Sequence, residues 1–155
     1  MENKRLLIIS HTPSPNLQRM LAAIVTGASC KEVSGIEVVS ITALKTVAED
    51  VLKADAVILL TPENLGYMSG ALKDFFDRNY YPCMDKTDAL PCAIVIRAGN
   101  DGTGTRRAIE SILTGLRWKV VQAPMICKGD FQQDFIQQCE ELGLSMAASL
   151  EAGII

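Results

Sequence analysis

Short, unbroken apolar runs alternate along this chain with longer stretches whose apolar residues recur at three- and four-residue spacing. Leu6-Leu7-Ile8-Ile9 and Ala56-Val57-Ile58-Leu59-Leu60 have no polar face to offer water, which predicts strands buried on both sides. Ile36 to Ile41, Ala93 to Ile96 and Lys119 to Ile126 read as further strands, and Pro124 predicts that the last frays or lies at an edge. Between them, Leu17, Met20, Leu21 and Ile24 mark a first helix that Gly27 is expected to stop. Leu44, Val47, Val51 and Leu52 mark a short second helix, and Ala71, Leu72, Phe75 and Phe76 a third that Pro82 is expected to end. Ala108, Ile109, Ile112, Leu113 and Leu116 form the clearest amphipathic stripe, and Phe135, Cys139, Leu142, Met146 and Leu150 a closing helix. Five strands alternating with five helices predict an α/β fold of three layers, a parallel sheet with helices on both faces. With no linker, repeat or low-complexity tract, residues 1–155 are expected to form one domain. Ligands of such sheets sit beyond the carboxyl ends of the strands, near the switch in strand order. The loops that matter are therefore those after Ile9, Leu60, Ile96 and Ile126.

Charge and cysteine content narrow the chemistry. A net charge of −3, with only the doublets Lys4-Arg5 and Arg106-Arg107, supplies no basic stripe for nucleic acid. The longest apolar runs are strand-sized, so no membrane span is expected. The N-terminus has no signal-peptide pattern, so a cytoplasmic location is the expectation. Cys30, Cys83, Cys92, Cys127 and Cys139 are odd in number and contain no C-x-x-C pair, which argues against both a disulfide framework and a zinc site. Cys92 and Cys127 read as small core residues, whereas Cys83, after Tyr80-Tyr81-Pro82, is expected to be exposed. No residue reads as a metal ligand.

The loop Ser10-His11-Thr12-Pro13-Ser14-Pro15-Asn16 joins the first strand to the first helix. Its hydroxyls and amide stand directly ahead of a helix N-terminus, whose unpaired N–H groups and partial positive charge suit an anion. Although the chain has 18 acids, none falls between Leu6 and Lys31. Ser10, Thr12, Ser14 and Asn16 are thus candidate phosphate contacts, with an ordinary polar turn and helix cap as the alternative. Pro13 and Pro15 each remove a backbone donor, which shifts the work to side-chain hydroxyls. There is no G-x-x-x-x-G-K-S/T for a P-loop and no G-x-G-x-x-G after the first strand for a dinucleotide site. Ser10-His11 and Thr61 stand where a receiver domain would carry acids, and no cysteine is there for a tyrosine phosphatase. A flavin phosphate survives this elimination.

The segment Thr61-Pro62-Glu63-Asn64-Leu65-Gly66-Tyr67-Met68-Ser69-Gly70-Ala71-Leu72-Lys73-Asp74-Phe75-Phe76-Asp77-Arg78 is the most informative in the chain. It resembles the T-P-x-x-x-G-x-M-S-G-x-x-K-x-F-x-D-R pattern of the flavodoxin-like NAD(P)H-dependent FMN reductases and quinone reductases. That resemblance implies a doubly wound, five-stranded flavodoxin-like sheet of order 2-1-3-4-5, and FMN as cofactor. It further implies that Thr61, Pro62, Glu63, Asn64, Leu65, Gly66, Tyr67 and Met68 line the flavin. Backbone groups from Glu63 to Met68 would meet its polar edge, and Leu65, Tyr67 and Met68 its face. For Tyr67 and Met68, packing in the core or against another subunit is the competing expectation. Asp77 and Arg78 read as a structural pair.

The loop Ala98-Gly99-Asn100-Asp101-Gly102-Thr103-Gly104-Thr105 carries three glycines and follows the fourth strand. Related flavoproteins place such a loop against the ring and ribityl chain, which makes Gly99, Asn100 and Gly102 candidate contacts, against the alternative of a flexible turn. His11, the only histidine, belongs to the phosphate end, and no catalytic side chain is expected because the flavin carries the chemistry. The resemblance implies an FMN-dependent oxidoreductase. It would take a hydride from NADH or NADPH and pass electrons to a quinone-like, other small-molecule or flavin acceptor, as a homodimer or homotetramer. A flavodoxin-like electron carrier and a fold relative that has lost FMN are the alternatives. The low aromatic content of 5% and modest charge lean toward the enzyme.

Overall fold

The two most apolar runs lie side by side. In the computed structural model, which describes residues 3–155, β1 (Lys4–Ser10) runs parallel to β3 (Ala56–Asn64), with Leu6 opposite Ala56 and Ser10 opposite Leu60. β2 (Ile36–Thr42) pairs with the other side of β1, and β5 (Pro91–Ala98) with the other side of β3. β6 (Lys119–Val120) and β7 (Met125–Lys128) share the far edge, both parallel to β5. The order β2-β1-β3-β5-β6, with β7 continuing the last position, is the doubly wound flavodoxin-like arrangement expected. The added element is β4 (Tyr67–Met68), which folds back antiparallel on the end of β3.

Residue alternation along the strands feeds two cores. Leu7, Ile9, Val57 and Leu59 face α3 (Gly70–Cys83) and α4 (Thr103–Leu116); Leu6, Ile8, Ile58 and Leu60 face α1 (Pro15–Ala28) and α5 (Gln133–Glu151). α2 (Ala48–Leu52) follows a single 3-10 turn at Ala43–Lys45 after β2.

Four local expectations are corrected by packing. Gly27 does not stop α1. It lies inside the helix against α5, where a Cβ would run into the Glu140 carbonyl, and Gly143 of α5 meets the Ile24 carbonyl in return. Pro82 does not end α3 at once, because in the last turn the missing N–H costs one bond only; Met84 N–H closes the helix on Tyr80 O at 2.9 Å. Cys83 is buried rather than exposed, since the added turn carries it into the α3 core. The last strand is not continuous from Lys119. Cys92 faces Val120 and Val95 faces Met125, so Ala93 and Ile94 oppose four residues of a bulge that contains Pro124. That bulge sits on the edge anticipated for Pro124, where it blunts strand pairing with another sheet.

Candidate functional site

Three loops meet beyond the carboxyl ends of β1, β3 and β5. The second is not a loose loop but a hairpin. β3 continues past the apolar run through Thr61 to Asn64, Glu63 pairs with Met68 and Asn64 with Tyr67, leaving a two-residue turn. Leu65 and Gly66 occupy that turn at φ 54° and 76°, the left-handed pair a tight hairpin requires. Gly66 takes this conformation freely; a leucine does not, and Leu65 is wholly exposed at the tip.

The hairpin's base is held from below. Thr61 is fully buried, and its hydroxyl accepts the Ser69 N–H at 3.1 Å while its proton has the Pro62 carbonyl at 2.9 Å and Ser69 Oγ at 3.1 Å within reach. Ser69 Oγ in turn accepts Leu72 N–H and caps α3. Thr61 therefore supports the site without facing it. Pro62 is buried as well, and Met68, at 2% exposure, belongs to the α3–α4 core. Of the eight hairpin candidates, the exposed ones are Asn64, Leu65, Gly66 and Tyr67, the last with 40% of its surface open.

Glu63 has a role its place in the motif did not disclose. Its Oε1 accepts the Gly102 N–H at 3.1 Å and its Oε2 the Thr105 hydroxyl at 2.7 Å, so the hairpin grips the first turn of α4. Gly102 is the residue preceding α4 and has no side chain with which to cap it. A helix opening on Gly-Thr-Gly with no local acceptor was the available signal that a distant group must serve. Gly102 itself, at φ 88°, is buried, and a Cβ there would meet Ile126. Its amide and its bare α-carbon are thus used inside the protein. Gly99 and Asn100 are exposed, and a Cβ on Gly99 would meet nothing. Asp101 is exposed and accepts the Thr103 hydroxyl at 2.6 Å.

At the first loop, Ser10 is buried at the end of β1 and His11 N–H is tied to Leu60 O at 3.1 Å. Ser14 is the N-cap of α1, its Oγ accepting Leu17 N–H at 3.2 Å. The capping reading of this residue holds in the structure, and its hydroxyl proton stays free to donate. Among the described residues, the amides of Thr12, Ser14 and Asn16 have no acceptor, and they alternate with Pro13 and Pro15. Thr12 and Ser14 are half-buried and Asn16 is exposed.

Other reactive groups lie apart from this edge or are spent. Burial pushes the Cys127 thiol up to about 11 and the Cys139 thiol up to about 12, and raises Cys92 and Cys83 as well, so none is poised as a nucleophile. Asp77 and Arg78 pair not with each other but with Lys73 and Asp74, and Arg78 also donates to the carbonyls of Ala43 and Thr46. That anchors the turn after β2. Among the described residues, no group of three or more His, Cys, Asp or Glu is placed to hold a metal.

The family model for NADPH-dependent FMN reductase matches residues 12–131, a span that contains the hairpin, the glycine loop and most of the first loop. The chain belongs to the NADPH-dependent FMN reductase family. This FMN reductase-family chain is also 30% identical, over 112 residues, to a flavodoxin of Aquifex aeolicus (strain VF5), a match covering 72% of the chain and 60% of that relative. The chain thus spans 60% of the length of the curated relative it matches. Among solved structures, a flavodoxin from the domain Archaea superposes with a TM-score of 0.79 at 16% identity, covering 95% of this chain and 99% of the other. The flavodiiron protein of Giardia intestinalis gives 0.80 at 15% identity, over 97% of this chain and 37% of that one. At such identities these two speak for the fold of the family member, which is flavodoxin-like. None of the described helices is long and apolar enough to cross a membrane.

Proposed function

We propose that this chain binds FMN along the edge formed by its three loops and works as an NAD(P)H-dependent oxidoreductase. The observation that carries the reading is the convergence, within the residues the family matches, of an unsatisfied helix N-terminus with an exposed hairpin and glycine loop. The residues present suit the group. Three amides without acceptors at the start of α1, in a stretch free of acids, match a phosphate dianion. Gly99 has neither a positive φ nor a neighbour that excludes a Cβ, so packing within the chain gives no reason for glycine there; close approach by a flat ring supplies one.

In this reading Thr12, Ser14 and Asn16 hold the phosphate, and Asn64 to Tyr67 with Gly99 and Asn100 receive the ring. Thr61, Pro62, Met68 and Gly102 support those contacts from beneath, and Ser10 ends the strand that presents the phosphate loop. Bound FMN would supply the hydride-accepting chemistry, leaving the protein to orient donor and acceptor. No side chain of this edge is assigned as acid or base. We read residues 1–155 as one domain of a cytoplasmic protein with a small-molecule acceptor, acting as a homodimer or homotetramer.

An electron carrier is the second reading, favoured by the match to a protein named flavodoxin. Titration with FMN followed by flavin fluorescence tests the first step, and a protein that leaves FMN fluorescence unchanged defeats both readings. Oxidation of NADH or NADPH in the presence of a quinone, absent without protein, supports the enzyme. FMN binding with no nucleotide oxidation supports the carrier.

A further inference from the structure

The opening turn of α4 is incomplete on its own. Its N-cap is Gly102, and the neighbouring Asp101 carboxylate is spent on the Thr103 hydroxyl. The missing acceptor arrives from 39 residues away, where Glu63 presents one oxygen to Gly102 N–H and the other to Thr105 Oγ1. A carboxylate at a helix N-terminus is favoured twice, by the orphan donors and by the helix dipole. Gly104, in the same turn, lets the Gly66 carbonyl of the hairpin come close.

We propose that Glu63 is a positioning residue for the cofactor edge: its side chain locks the hairpin and the glycine loop together, so that a ligand meets two loops already in register. The inference rests on the FMN reading above. A ligand that touches two independent loops must order both, and that ordering cost is subtracted from its affinity; loops fixed to each other by the Glu63 clasp have met it in advance. Thr105 makes this separable from direct contact, because it is fully buried and cannot touch a ligand at the surface.

The test is FMN titration of the wild type, Glu63→Ala, Glu63→Gln, Thr105→Val and the Glu63→Ala/Thr105→Val double variant, with amide hydrogen exchange in the α4 turn measured without FMN. Loss of both charge-assisted bonds predicts about tenfold or greater weakening for Glu63→Ala. Thr105→Val is expected to weaken binding severalfold despite its burial, and the double variant to bind no worse than Glu63→Ala alone. Glu63→Gln is expected to recover most of the affinity, since its amide oxygen still accepts Gly102 N–H and its amino group donates to the Thr105 oxygen. The Gly102 amide is expected to exchange faster in Glu63→Ala and not in Glu63→Gln. If Glu63→Ala unfolds, Glu63→Gln and Thr105→Val carry the comparison. Wild-type affinity in Glu63→Ala or Thr105→Val, strictly additive losses, or a glutamine no better than alanine overturns the positioning role. A wild type that does not bind FMN removes the cofactor reading itself, a result visible before any variant is compared.

Discussion

Gly66 and Gly104 touch across the candidate site: a Cβ on Gly104 would stand 2.7 Å from the Gly66 carbonyl oxygen. That oxygen belongs to the tip of the β3–β4 hairpin and cannot rotate away as a side chain would. The first turn of α4 and the hairpin are therefore shaped to one another, and Glu63 bonds them where the bare α-carbon of Gly104 lets them approach.

Gly104→Ala separates helix propensity from site geometry. Within a helix, alanine for glycine is worth about 0.5–1 kcal/mol. Here the added methyl must push the hairpin aside. Overall stability is expected to change by less than about 1 kcal/mol, because the two effects oppose. FMN affinity is expected to fall at the same time. Thermal melting beside an FMN titration reads both, and unchanged affinity would show that the hairpin's position does not matter to the ligand.

Gly27 and Gly143 predict the reverse pattern. Each stands where a Cβ would enter the backbone of the facing helix, at the Glu140 and Ile24 carbonyls respectively. Two helix backbones cannot yield cheaply, so Gly27→Ala and Gly143→Ala are each expected to cost about 2–3 kcal/mol despite alanine's better propensity. The α1–α5 contact lies on the other side of the sheet from the hairpin, so FMN affinity in the folded fraction is expected to hold. Urea denaturation of each variant supplies the numbers.

These contrasts mark what the sequence made legible. The strand runs and helical stripes were readable because burial on both faces of a parallel sheet leaves an unmistakable pattern, and Pro124 announced its edge. Thr61 to Arg78 carried the family, and the structure keeps its order of strand end, turn and helix start. What stayed hidden was long-range. Gly27 looks like a helix stop until α5 is laid against it. The burial of Thr61, Met68 and Gly102, which stand among exposed neighbours in the same two loops, has no mark in the sequence. Glu63 reveals its partners only when β3 and α4 are neighbours, and nothing local links residues 63 and 105.

Alkaline pH should unfold this protein early, through its thiols. Cys127 and Cys139 are raised by burial from 9.0 to about 11 and about 12, and Cys92 is raised for the same reason. An unfolded chain loses these protons near pH 9 while the folded chain keeps them. Stability from this source is therefore complete below pH 9 and declines as pH rises toward the folded values, by about 1.4 kcal/mol per unit for each thiol still protonated. Cys→Ser or Cys→Ala at position 127 or 139 is expected to flatten the decline, as measured by urea midpoints from pH 8 to 10.5.

Thr61→Val isolates the support beneath the hairpin. Valine matches the shape but leaves the buried Ser69 N–H without its 3.1 Å acceptor. An unsatisfied buried donor costs about 1–3 kcal/mol. The expected result is a stability loss in that range with a weaker hold on FMN, while Thr61→Ser, which retains the oxygen, stays closer to wild type in both.

The phosphate end can be tested without reference to the ring, because riboflavin lacks the phosphate that FMN carries. Ser14 caps α1 through Oγ and still has a proton to give. Ser14→Ala is expected to lower stability by about 1 kcal/mol through the lost cap. If the α1 N-terminus holds the phosphate, it must also reduce FMN affinity while leaving riboflavin affinity nearly unchanged. Ser14→Gly sharpens the comparison, since glycine is tolerated at an N-cap at a cost of only a few tenths of a kcal/mol yet donates no hydroxyl. A loss of FMN over riboflavin discrimination shared by both variants assigns the hydroxyl to the phosphate. Equal losses for the two flavins would instead place its effect in the helix, and move the phosphate to some other part of the edge.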